Sequence, residues 1–143
     1  MHRVLLLGAG KIGRMIARLL VDTGDYDVLV GDSSPEALEL IARRIGVKTV
    51  EVNVESESNL ASALAGRHTV ISALSYYHNP RVAEAALAAG ASYFDLTEDV
   101  ETTRRVRAIA EKAGPGQVFM PQCGLAPGFI SIGANHLAQR VER

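Results

Sequence analysis

Gly8-Ala9-Gly10-Lys11-Ile12-Gly13 is a G-x-G-x-x-G run. Glycines at this spacing suit one task when they join a buried strand to a helix, namely holding a pyrophosphate. Gly8 permits the tight turn, Gly10 lets the backbone come close to the phosphates, and Gly13 lets the helix pack against the strand. Free N–H groups at the helix start and the helix dipole then favour negative charge. The context here fits, because Val4 and Leu6 lead into the glycines and an amphipathic segment follows them. The plainer alternative is that the three glycines serve strand–helix packing alone. A second feature is Asp32, 24 residues after Gly8 and just past the apolar Val28 and Val30. A carboxylate there accepts hydrogen bonds from a ribose and repels a 2′-phosphate. Neither Arg nor Lys occupies the next positions, Ser33, Ser34 and Pro35, so NAD is favoured over NADP. The competing role for Asp32 is a cap on the helix that begins near Pro35, a task Ser33 or Ser34 fills as well.

Those residues need a sheet to carry them. Residues 3–7 read as a buried strand, and 11–21 carry Ile12, Met15, Ile16, Leu19 and Leu20 at the spacing of one helix face. Further strands follow at 27–30, 49–52, 69–73, 92–95 and 117–120. Helices follow at 35–44, 58–65, 80–89, 100–113 and 129–141. Gly46, Gly66, Gly90 and Gly114-Pro115-Gly116 stop helices, and Asn79-Pro80 reads as an N-cap with proline at the first helical position. Short, continuously apolar strands alternating with helices predict a parallel sheet covered on both faces. Right-handed crossovers make it a doubly wound α/β Rossmann fold with a six-stranded sheet, one domain spanning 1–143.

Ligands of such sheets lie across the carboxyl ends of the strands. Asn53 and Val54, past the third strand, are therefore placed near adenine. Ser72, Ala73, Leu74 and Ser75, ending the fourth, are placed near the ribose and nicotinamide. Asp95, at the end of the fifth strand, is the acid expected to face a ligand, while Glu98 or Asp99 caps the next helix. His2 and His68 flank strands, and His78 reads as a loop histidine before the Asn79 cap. No histidine, cysteine or carboxylate spacing matches a metal site, so none is expected. Arg104, Arg105 and Arg107 read as a solvated helix face.

The chain has 143 residues, 15 basic and 16 acidic side chains, and a formal charge of −1, so neither nucleic acid nor an anionic membrane is an expected partner. No apolar run reaches transmembrane length and no secretory leader is apparent. The one cysteine, Cys123, excludes an internal disulfide and reads as a free structural thiol. A cytoplasmic location is the expectation.

Three segments sharpen the reading: Pro121-Gln-Cys-Gly-Leu-Ala-Pro-Gly-Phe129, Ser75-Tyr-Tyr-His-Asn79 and Tyr93-Phe-Asp-Leu-Thr-Glu98. With the glycine run they resemble the N-terminal, nucleotide-binding portion of the saccharopine dehydrogenase-like family, across essentially the whole chain. Asn53 departs from the aspartate frequent in that family. The resemblance implies an oxidoreductase acting on a C–N bond of a small amino-acid-like substrate. It also implies a second, substrate-binding domain absent from these residues, without which turnover is negligible. It puts Tyr76 and Tyr77, Asp95 and Thr97, and Ala126, Pro127 and Gly128 on the substrate side. An open sheet edge and the last helix leave room for a homodimer. The rival readings are a nucleotide-sensing module like potassium-channel regulatory domains, and a scaffold that binds no nucleotide.

Overall fold

The computed structural model describes residues 1–141. Strands and helices alternate as β1 (His2–Leu7), α1 (Lys11–Thr23), β2 (Tyr26–Asp32), α2 (Pro35–Ile45), β3 (Lys48–Glu51) and α3 (Glu57–Leu64). They continue as β4 (Thr69–Ser72), α4 (Asn79–Ala89), β5 (Ser92–Asp95), α5 (Val100–Ala110), β6 (Phe119–Met120) and α6 (Ile130–Val141). All strands are parallel, in the order β3-β2-β1-β4-β5-β6. The chain builds outward from β1 to β3, then crosses back to β4. The switch point therefore falls between β1 and β4, where the glycine run sits.

Successive residues of a strand face opposite sides, so β1 supplies both cores. Leu6 packs with Ala17, Val28, Val30, Leu38 and Ile41 under α1 and α2. Leu5 and Leu7 pack with Leu60, Val70, Val82, Tyr93 and Val106 under α3, α4 and α5. Leu5, Leu6 and Leu7 are fully buried. Helix starts are fixed locally, with the side chains of Ser34, Ser56 and Asp99 accepting from Ala37, Asn59 and Thr102 N–H.

Three details differ from the pattern read off the sequence. Asn79 is not an N-cap. It lies inside α4, and its Oδ1 accepts from the buried Ser72 hydroxyl at 2.7 Å. β6 is only two residues long, because Gln117 serves the preceding turn instead. Its Oε1 accepts from Gly114 N–H at 2.8 Å and its Nε2 donates to Ala91 O at 3.1 Å. α5 stops at Ala110, three residues early, in a turn closed by Lys112 and Ala113 N–H groups. α6 buries no residue, and Ile130, Leu137 and Val141 are 54, 63 and 80% exposed. No helix among the described residues is long and apolar enough to cross a membrane.

Candidate functional site

The glycine run divides into two kinds of position. Gly8 has φ +104°, and a Cβ on it would lie 2.8 Å from Ala73 O. On Gly13 a Cβ would overlap the Gly8 carbonyl oxygen. The fold itself therefore requires both glycines. Gly10 is different. Its backbone (φ −67°, ψ −170°) is open to any residue, and nothing lies within 4 Å of a Cβ built there. It starts α1 with no side-chain cap and no acid in the first turn, so α1 supplies no side-chain partner for the N–H groups of that turn. The fold leaves room for a side chain at Gly10, so packing alone does not require a glycine there.

Asp32 closes the other side of this turn. Its Oδ2 accepts from Ala9 N–H at 2.7 Å and its Oδ1 from Ser34 N–H at 2.9 Å. The cap of α2 is Ser34, whose Oγ accepts from Ala37 N–H at 3.2 Å. Asp32 thus ties the glycine loop to β2 rather than capping α2. Beside it lies a cleft of about 220 Å³ lined by Asp32, Ser33, Asn53, Val54, Leu74 and His78, with Glu55 at its rim. Its ionisable groups are two carboxylates and one imidazole, with no Lys or Arg in the lining. Asn53 Oδ1 is occupied by Glu55 N–H at 2.9 Å, which leaves the amide NH2 as its free donor. A larger hollow of about 400 Å³ over α3, α4 and α5, among Glu57, Arg81, Glu84 and Arg105, shares no residue with the glycine loop.

At the end of β4, Ser72 is buried against Asn79, whereas beyond it Ala73 and Leu74 back Gly8 and Ser75 is exposed. Tyr76 and Tyr77 stand out into solvent with rings edge to face at 5.9 Å, and Tyr77 lies 4.3 Å from the His78 ring. His78 thus joins the cleft to this aromatic pair. The sequence already made it the histidine nearest the expected site, while reading it as a loop residue before Asn79.

Asp95 is fully buried. Its Oδ2 accepts from Tyr93 O–H at 2.7 Å, and its Oδ1 from Thr97 N–H at 2.9 Å and Gln122 N–H at 3.0 Å. It does not face the strand edge and reaches it only through the loop it holds. Thr97 is buried as well, its Oγ1 accepting from Asp99 N–H at 3.1 Å. Burial, and then the Asp95 carboxylate, push the Tyr93 phenol far above its ordinary value. Burial first and Asp95 second also push the Cys123 thiol up, and its Sγ donates to Met120 O at 3.1 Å. Ala126, Pro127 and Gly128 form a wide turn, Leu125–Phe129, past the end of β6. Among the described residues no three His, Cys, Asp or Glu side chains gather as metal ligands.

The chain matches the "Saccharopine dehydrogenase NADP binding domain" family over residues 4–118. It is 26% identical over 140 residues to "Saccharopine dehydrogenase [NADP(+), L-glutamate-forming]" of Saccharomyces cerevisiae, covering 98% of this chain and 31% of that protein. The chain therefore spans about a third of the length of this curated relative. The apo structure of the L-Glu-forming saccharopine dehydrogenase from Saccharomyces cerevisiae superposes with a TM-score of 0.80 at 25% identity, over 100% of this chain and 32% of that one. The TrkA-N domain of the Escherichia coli inner membrane protein ybaL shares the fold, with a TM-score of 0.70, 18% identity and 96% of each chain covered.

Proposed function

The chain belongs to the saccharopine dehydrogenase NADP-binding domain family, and from that premise we propose that it lays a nicotinamide dinucleotide across the carboxyl edge of its sheet for hydride transfer. Gly10 is the observation that carries this reading, since the fold leaves its Cβ position empty. The pyrophosphate meets the N–H groups of Gly10, Lys11, Ile12 and Gly13 at the uncapped start of α1. Ala9 N–H is already committed to Asp32. The adenosine enters the cleft between Ser33, Asn53, Val54 and Leu74, with Asp32 toward its ribose. The nicotinamide half runs past Ala73, Leu74 and Ser75 toward the turn at Ala126, Pro127 and Gly128. When bound, the nicotinamide supplies the hydride-accepting carbon, and these residues hold it and leave one face open.

On this reading NAD is preferred to NADP, because a 2′-phosphate placed in the cleft meets Asp32 and Glu55 in its lining, while the Arg81 guanidinium, which donates to Glu55 O at 3.2 Å, stands outside it. The substrate class is an amino-acid-like molecule oxidised at a C–N bond, and a second region of the kind found in relatives about three times as long binds it. Tyr76 and Tyr77 face that region. On this reading the 143 residues alone bind cofactor without turnover.

Titration calorimetry with NAD and NADP tests the reading. Gly10→Ser offers α1 a capping hydroxyl, so its melting temperature stays level or rises while dinucleotide binding is lost. Retained binding in that variant overturns the role of Gly10, and tighter NADP than NAD overturns the role of Asp32. Turnover of lysine or saccharopine by the isolated chain overturns the need for a second region. The nucleotide-sensor alternative shares the fold with the TrkA-N domain, but the family match favours the dehydrogenase.

A further inference from the structure

The β5–β6 ladder pairs only Tyr93 with Phe119 and Phe94 with Met120. Beyond Met120 the regular ladder ends. The loop at 121–129 nevertheless takes a defined path, with Gln122 at φ +66° and the wide turn Leu125–Phe129 closed by Phe129 N–H to Gly124 O at 3.0 Å. What replaces the ladder is Asp95. Its side chain takes the Gln122 N–H, and its own carbonyl takes the Cys123 N–H at 2.8 Å. The same carboxylate takes Thr97 N–H and the Tyr93 hydroxyl, which fix its orientation from below. A fully buried carboxylate is costly to desolvate, and here it is met by hydrogen-bond donors. The loop is also packed closely onto the β5 end. A Cβ on Gly124 would come within 2.9 Å of Leu96 O, and one on Gly128 within 2.7 Å of Gln122 O.

We infer that Asp95 is a positioning residue, which sets the 121–129 loop at the strand edge so that the loop's backbone receives the nicotinamide end of the cofactor. This rests on the dinucleotide reading above. Asp95 touches neither cofactor nor substrate. Its carboxylate acts through Gln122, while its carbonyl keeps Cys123, so loss of the side chain loosens the loop at Gln122 and leaves the adenosine cleft and the glycine run as they are.

The test compares NADH with ADP-ribose, which keeps the adenosine and pyrophosphate and lacks the nicotinamide. In the intact chain NADH binds more tightly than ADP-ribose, and its reduced-ring fluorescence rises on binding. Asp95→Ala weakens NADH about tenfold toward the ADP-ribose value and abolishes the fluorescence rise, with ADP-ribose affinity unchanged. Asp95→Asn keeps an acceptor oxygen for the Thr97 and Gln122 N–H groups and restores both. Gly124→Ala displaces the loop without touching the buried carboxylate and gives the Asp95→Ala signature, which covers the case in which Asp95→Ala does not fold. Equal affinity of the unaltered chain for NADH and ADP-ribose overturns the inference. So does a parallel loss of both ligands in Gly124→Ala, or an unchanged NADH signal there. Failure of the unaltered chain to bind either ligand overturns the dinucleotide reading instead.

Discussion

The two ends of the strand edge are built by opposite means. Over β1, β2 and β3 the chain closes on itself. Gly13 lies against the Gly8 carbonyl, Gly8 against Ala73, and Asp32 ties the loop to β2 from a buried framework. Past β5 the ladder lasts two residues, one carboxylate anchors the following loop, and α6 leaves the body with no side chain buried. Close backbone packing makes the first end rigid before any ligand arrives. The second end is a loop held at the end of β5 by the side chain and carbonyl of Asp95 and by packing on Leu96, with an unburied helix beyond it.

The contrast can be broken at several points. The largest effect belongs to Gly13→Ala, whose Cβ has no room against Gly8 O. A loss of about 3 kcal/mol is expected, read from thermal melting, and a variant that melts with the parent would refute a rigid first end. Next is Ser34→Ala, which removes the α2 cap beside Asp32. It should cost about 1 kcal/mol in urea unfolding. Ending the chain after Phe129 removes all of α6 yet should shift stability by less than about 0.5 kcal/mol, since an unpacked helix of this length adds little. A larger drop would mean the second end is as integrated as the first. The mildest test is chemical. The thiolate is the reactive form, and burial raises the Cys123 pKa, so fewer thiolates exist at neutral pH. Iodoacetamide should label Cys123 more slowly than glutathione at pH 7.5, and the two rates should converge only in more alkaline buffer.

The first end was also the more legible one. Gly8, Gly10, Gly13 and Asp32 are local signals, readable from a strand, a turn and a helix in succession. All six strands followed from short apolar runs, the last four behind helix-stopping glycines, although the sixth was read two residues too long. Elsewhere the side chains answer partners that the local pattern does not announce. Asn79-Pro80 looks like a helix cap, but its side chain answers Ser72 across a fold contact that no local pattern encodes. Gln117 looks like strand and instead serves the turns around it. Asp95 was read as facing a ligand, and the structure buries it instead; strand alternation, which puts Tyr93 and Asp95 on one face with Tyr93 in the core, was the signal that could have shown this. What the sequence could not show was that Gln122, 27 positions away, needed that carboxylate.

The open space at Gly10 bears on how such a domain would change over generations. Gly8 and Gly13 are held by the chain's own atoms, so selection for folding alone keeps them even in a descendant that has abandoned its cofactor. Gly10 has no such protection. Once nothing docks there, serine, alanine or asparagine is free to drift in, and serine even improves the helix. Among diverging copies of this domain, the position equivalent to Gly10 should therefore be the first of the three to record that nucleotide binding has been lost.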